Sequence, residues 1–287
     1  MTETCKAKRS PWWLWVAALL LTVIAYYPTF AWLIMSWLGN SYYSHGFLVP
    51  LISLVLVWRL QRRRISESSA LAVFGRSFAV SLVLAGLGLG IHILALARQL
   101  YLVSATSLIP VLSGIVLALG GVGTLRHLAF PLGFLFLMIP LPYLEKSTPY
   151  LARWVASAAA TITRAAGLVV TVSGARVELP GTALVIGAPC SGVNSLAALM
   201  TLAVLYAFLV RGPLVARLAL VALALPIALL ANLVRVCLLV FLAHYLGEAA
   251  ATRYFHDWSS PFLFILALGM LILVGKWLRC SEIRADI

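Results

Sequence analysis

Three polar residues with complementary chemistry interrupt otherwise hydrophobic stretches of this chain: Cys190, Arg235 and His256. A thiol that can form a thioester, a fixed cation that can hold an oxyanion and an imidazole that can move a proton are the parts of a cysteine acyl-transfer site. Cys190 lies in Ala188-Pro189-Cys190-Ser191-Gly192, read as a strand-to-helix turn. There the free N–H groups and partial positive charge of a helix start favour thiolate and can hold an oxyanion. The same turn also suits a cysteine used only as a small apolar residue.

Arg235 stands in Ala231-Asn232-Leu233-Val234-Arg235-Val236-Cys237, which otherwise reads as helix interior. An arginine inside a span costs at least ~2.5 kcal/mol and is paired or functional as a rule; the alternative is a side chain snorkelling to the headgroups. Asn232, one turn earlier on the same face, is placed to hold the guanidinium or a substrate carbonyl. His256 and Asp257 fall in Arg253-Tyr254-Phe255-His256-Asp257-Trp258, as a proton-transfer pair or as part of an aromatic belt. Ser191, Arg253 and His45, the last in Tyr42-Tyr43-Ser44-His45-Gly46, are supporting candidates for the same cleft, while His92, His127 and His244 read as structural.

The elements that must position these residues are membrane helices. Of 287 residues, 63% are hydrophobic and 10% charged, more apolar surface than a soluble domain of this length can hide. The excess of 21 Lys and Arg over 8 Asp and Glu sits at the ends of apolar runs, where it signals topology rather than nucleic-acid binding. The first run lacks a cleavage site and reads as a retained helix. Four cysteines, Cys5, Cys190, Cys237 and Cys280, show neither zinc-ligand spacing nor a disulfide framework, and no metal or cofactor is implied.

Applying a length of about 20 residues per span gives an all-α polytopic protein of about eight helices, in one domain over 1–287: 12–31, 47–58, 78–96, 103–122, 128–141, 195–210, 218–246 and 261–277. Lys6, Lys8, Arg9, then Arg59, Arg62, Arg63, Arg64 and Arg76, then Arg126, Arg211, Arg217, Lys276, Arg279 and Arg284 fall on one side, read as cytoplasmic together with both termini. Eighteen residues separate Arg217 from Arg235, a rise of roughly 27 Å, so Arg235 nears the outer boundary of a core about 30 Å thick. Cys190, His256 and His45 are expected on that face too.

An extracytoplasmic insertion of about 142–189 precedes Cys190. Its first half, 145–166, sets Leu151, Trp154, Val155 and Ile162 against Lys146, Arg153 and Arg164, the pattern of an amphipathic helix lying on the membrane surface. Its second half has β-branched runs at 169–172, 176–179 and 182–186, separated by Ser173-Gly174 and Pro180-Gly181, which predict small hairpins.

At these residues the chain resembles the exosortase/archaeosortase family of membrane cysteine transpeptidases. The resemblance is carried by Pro189-Cys190-Ser191-Gly192, Asn232-Leu233-Val234-Arg235 and His256-Asp257, with Tyr43-Ser44-His45-Gly46 and Phe136-Leu137-Met138-Ile139-Pro140-Leu141-Pro142 in support. Family members often have glycine three residues after the acid; this chain has Ser260. The resemblance implies Cys190 as nucleophile, Arg235 as stabiliser of substrate or transition state, and His256 as acid/base. It implies as partners, besides membrane lipids, exported proteins ending in a Pro-Glu-Pro-like motif, an apolar helix and a basic tail, and an acceptor nucleophile of unknown identity. The setting would be the inner membrane, with the site facing outward. The competing reading is a non-enzymatic transporter or scaffold of envelope biogenesis, which predicts polar residues through the bilayer midplane. A serine or aspartyl intramembrane protease finds no Gly-x-Ser-x-Gly elbow and no aspartate pair, since Asp257 and Asp286 are the only aspartates.

Overall fold

A computed structural model describes residues 11–63, 76–187, 190–247, 256–280 and 282–284. Cys5, the basic residues before the first helix, Arg64, Pro189 and Arg253 lie outside the described residues. The chain divides into two compact units, the first ending at Pro140 and the second running Leu141–Arg284.

The first unit is built from α1 (Trp12–Ala25), α2 (Tyr27–Gly39), a 3-10 segment Ser41–Phe47, α3 (Leu48–Arg63), α4 (Arg76–Ala97) and α5 (Tyr101–Phe134). The predicted first span is a broken pair: α1 and α2 meet at 70° around Tyr26. Pro28 sits in the first turn of α2, where its missing N–H is tolerated. The break diverts the Ala25 carbonyl from the ladder, and His92 Nε2 donates to it at 3.0 Å. The fourth and fifth predicted spans fall in one helical run, with Gly121 at φ 74° interrupting α5. Small residues let α4 and α5 approach closely: a Cβ on Gly114 would stand 2.7 Å from the Ala85 backbone nitrogen.

The second unit begins with α6 (Pro142–Ala165) and a sheet of β1 (Thr171–Ser173), β2 (Arg176–Leu179) and β3 (Thr182–Val185). The three runs form one antiparallel meander, β1-β2-β3, its strands joined by two-residue connections at 174–175 and 180–181. Pro180 and Gly181 link the paired Leu179 and Thr182, and Gly181 at φ 83° takes the left-handed position such a turn requires. Alternation then buries Val177, Leu179, Leu184 and Ile186 on one face. A fully buried valine such as Val177 is worth ~1.5–3 kcal/mol.

The face by which α6 packs on protein is lined mainly by alanines. Ala152, Val155, Ala156, Ala159 and Ala160 are buried and share a core with the sheet, Cys190 and Val236, Leu239 and Val240 of α8 (Leu214–Leu246), whereas Trp154 is 52% and Ile162 46% exposed. Close helix packing selects the small side chains and turns the bulky ones outward. The unit is completed by α7 (Val193–Leu209) and α9 (His256–Trp277), which pack on α8 through Leu199, Ala203, Leu220, Ala224 and Leu271.

Among the described residues, four helical stretches are long and apolar enough to cross a membrane, or five if the bent pair counts as one span. Val193–Leu209 and Pro261–Trp277 are shorter apolar helices. The chain is a largely helical polytopic membrane protein with a small three-stranded sheet.

Candidate active site

After the sheet, the Cys190 N–H donates to the Gly187 carbonyl at 3.0 Å. Gly192 follows at φ 85° as the cap of α7. A side chain there would be strained twice, since the left-handed backbone disfavours it and its Cβ would stand 2.8 Å from Cγ and Nδ2 of Asn232. Ser191 is fully buried, and its Oγ accepts from the Val193 N–H at 3.4 Å. The Cys190 turn is thus pressed directly onto α8.

On α8 the contact is specific. Asn232, 4% exposed, donates from Nδ2 to the Cys190 carbonyl at 2.9 Å. One turn further on, Arg235 is only 3% exposed, and its Nε donates to Ser259 Oγ of α9 at 3.1 Å. A guanidinium so enclosed is not snorkelling to headgroups; it is a buried cation held by protein. Taking a cation out of water is costly, so its place at this position asks for a reason other than stability.

Burial pushes the Cys190 thiol up, and the Arg235 guanidinium pulls it partly back down. Burial dominates, so the resting group is the neutral thiol and a proton acceptor is needed to activate it.

Between α7, α8 and α9 lies a narrow, partly open cleft. Ser195, Asn232 and Arg235 provide its polar lining, and Ala228, Ala231 and Phe264 part of its apolar wall. Asn232 Oδ1 is buried and has no hydrogen-bond partner among the described residues. An acceptor in that state costs ~1–3 kcal/mol.

The structure therefore brings together Cys190, Ser191, Asn232 and Arg235. His256 opens α9, with Asp257 next, three and two residues before Ser259; their side chains lie outside what is described. His45 belongs to the first unit, half-buried in the segment Ser41–Phe47 and bonded to backbone of Leu137 and Tyr42. Ser259 is the member of the site that sequence reasoning misses: a serine among many carries no signal until the cation it meets is known. Among the described residues no cluster of His, Cys, Asp or Glu could hold a metal ion.

A family model described as "Transmembrane exosortase" matches residues 37–273, which include every element of this site and most of the first unit. The chain belongs to the transmembrane exosortase family. No curated protein and no solved structure matches it. Family membership and the apolar helices agree on a membrane protein, and the motifs that carried the resemblance all fall inside the matched range.

Proposed function

We propose that this chain is a membrane-embedded cysteine peptidase/transpeptidase that cleaves the C-terminal sorting signal of exported proteins through a thioester on Cys190. The observation that carries the reading is Arg235, buried beside the Cys190 turn and anchored to Ser259. A cation at that depth, next to a thiol, is suited to a charge that develops only during reaction.

His256 takes the Cys190 proton, and the sulfur attacks the scissile carbonyl carbon. Arg235 stabilises the resulting oxyanion. The C–N bond then breaks, His256 returns the proton to the leaving amine, and the apolar helix with its basic tail departs. The exported protein remains as a thioester, which an acceptor amine or water resolves as the Cys190 thiolate leaves. Asp257 orients His256. Arg253, Ser191 and His45 support substrate binding.

In this reading about eight spans place both termini in the cytoplasm and Cys190 on the extracytoplasmic face of the inner membrane, as the basic-residue asymmetry indicates. The 142–189 insertion then lies outside, where the sheet steers Cys190 to the bond just beyond the bilayer. The site would act on proteins whose genes accompany this one and share a C-terminal motif, helix and basic tail.

The test is processing of such a substrate. Cys190→Ala should abolish it, by on the order of 10³-fold or more, at unchanged membrane abundance, while Cys237→Ala processes normally. Full processing by Cys190→Ala makes the cysteine structural and ends the proposal.

A further inference from the structure

Asn232 is more than a neighbour of the arginine. The Cys190 carbonyl can only accept, so the Asn232 amide must turn Nδ2 toward it, and the 2.9 Å contact fixes the orientation of the whole group. Oδ1 is therefore the atom left over, buried and without a hydrogen-bond partner among the described residues. Asn232 lines the α7–α8–α9 cleft, whose other walls, Ser195 and Arg235 apart, are apolar: Leu199, Ala228, Ala231, Leu263, Phe264 and Ala267. Nothing charged and negative belongs beside a lone carbonyl-type oxygen; what it wants is a donor, an N–H or an O–H.

The neighbouring position on the helix narrows the donor. Arg235, a side chain that can only donate, lines the same cleft one turn away, a rise of about 4.5 Å along α8. An acceptor and a donor side by side are the complement of one residue of extended peptide, whose own N–H and C=O point to the same side.

We infer that the cleft binds its substrate as an extended backbone, with one substrate N–H donated to Asn232 Oδ1, while Asn232 Nδ2 holds the Cys190 turn. Asn232 thereby ties peptide register to the position of the nucleophile. The inference rests on the sorting-peptidase reading, and names the contact that would select an extended peptide within it.

The probe is a synthetic peptide containing motif, apolar helix and basic tail, co-reconstituted with the full chain in lipid nanodiscs. A series of analogues replaces each backbone amide around the scissile bond, one at a time, by an ester, which removes a single N–H. Binding is read as protection of Cys190 from alkylation, and cleavage is followed in parallel. In the native chain one ester position should weaken protection about fivefold to tenfold, the value of one buried hydrogen bond. In Asn232→Ala the same ester should protect Cys190 as well as the amide peptide does, because the acceptor it would have lost is already gone. Asn232→Asp, which keeps an acceptor oxygen, should retain the ester penalty even if the Cys190 turn shifts.

The inference is overturned if the amide peptide does not protect Cys190, if no ester position matters in the native chain, or if the penalty persists in Asn232→Ala. Protection with the expected ester pattern but no cleavage would leave the inference standing and remove the peptidase reading instead.

Discussion

Each unit holds a cluster of polar side chains in apolar surroundings, one around His92 and one around Asn232, and the two clusters finish the job differently. In the first unit, Tyr26 bonds Ser107 at 2.8 Å, Thr29 bonds Ser104, and Ser104 bonds His92 Nδ1 at 2.8 Å. His92 Nε2 then donates to the Ala25 carbonyl, and the ring stacks on Tyr26 with centroids 3.7 Å apart. Ser107 also donates to the Ser104 carbonyl at 2.7 Å. One consistent direction of donation serves every named group in this chain with the imidazole neutral: Tyr26 to Ser107, Ser107 to the Ser104 carbonyl, Thr29 to Ser104, Ser104 to His92, and His92 to Ala25. In the second unit, Asn232 retains an unanswered acceptor beside a cleft and next to a buried cation. A closed network stiffens a fold, whereas an open one leaves binding capacity for something that arrives later. By that criterion His92 is structural and Asn232 functional, though both are buried polar residues in apolar helices.

The largest expected effect tests the open side. Lysine at 235 keeps the charge but loses the planar fork of donors. Arg235→Lys and Arg235→Gln should each lower substrate turnover by roughly 10²-fold, the scale of removing an oxyanion donor, when compared at matched membrane abundance. Near-native turnover in the lysine variant would reduce Arg235 to a fixed charge without directional bonding and would weaken the contrast between the units.

The closed side is tested by His92→Phe, which preserves the stacking on Tyr26 but removes both ring hydrogen bonds. Leaving the Ala25 carbonyl and Ser104 hydroxyl short of partners should cost about 1–3 kcal/mol, read as a lower unfolding temperature in detergent. Turnover per folded molecule should not change. A His92→Phe protein of native stability but defective turnover would move His92 into the machinery and erase the distinction.

How much of this is legible in the sequence depends on which force wrote the signal. Hydropathy marks the apolar helices, because length and apolarity are what a bilayer demands. The three short strands emerge almost at their observed limits, since Ser173-Gly174 and Pro180-Gly181 sit where the turns need a left-handed or proline-fixed backbone. Cys190, Asn232 and Arg235 are each visible as polar residues out of place, and their order implies the same face. The alanine face of α6 is not, because alanine is a weak hydrophobic signal and its value there is closeness of approach, which only the partner helix reveals. The bend at Tyr26 and the left-handed Gly121 inside α5 are also hidden, being properties of backbone geometry within continuous apolar runs. Ser259 needs Arg235 in three dimensions before it means anything.

The smallest expected effect concerns how the two sides of the Cys190 balance combine. Burial raises the thiol and Arg235 lowers it, with burial the larger. The rate of Cys190 alkylation should therefore climb with pH through a midpoint above that of an exposed cysteine, because reactivity follows the thiolate. Removing the positive charge in Arg235→Gln deletes the lowering influence and should move the midpoint further alkaline, while Arg235→Lys, which keeps a cation, should move it less. The comparison is made with a small neutral alkylating reagent in a background of Cys5→Ser, Cys237→Ala and Cys280→Ala, so that only Cys190 reports, and as a control His92→Phe should leave the midpoint where it is. If Arg235→Gln shifted the midpoint toward acid, the guanidinium would not be acting on the sulfur at all, and the open network of the second unit would lose its electrostatic link to the nucleophile.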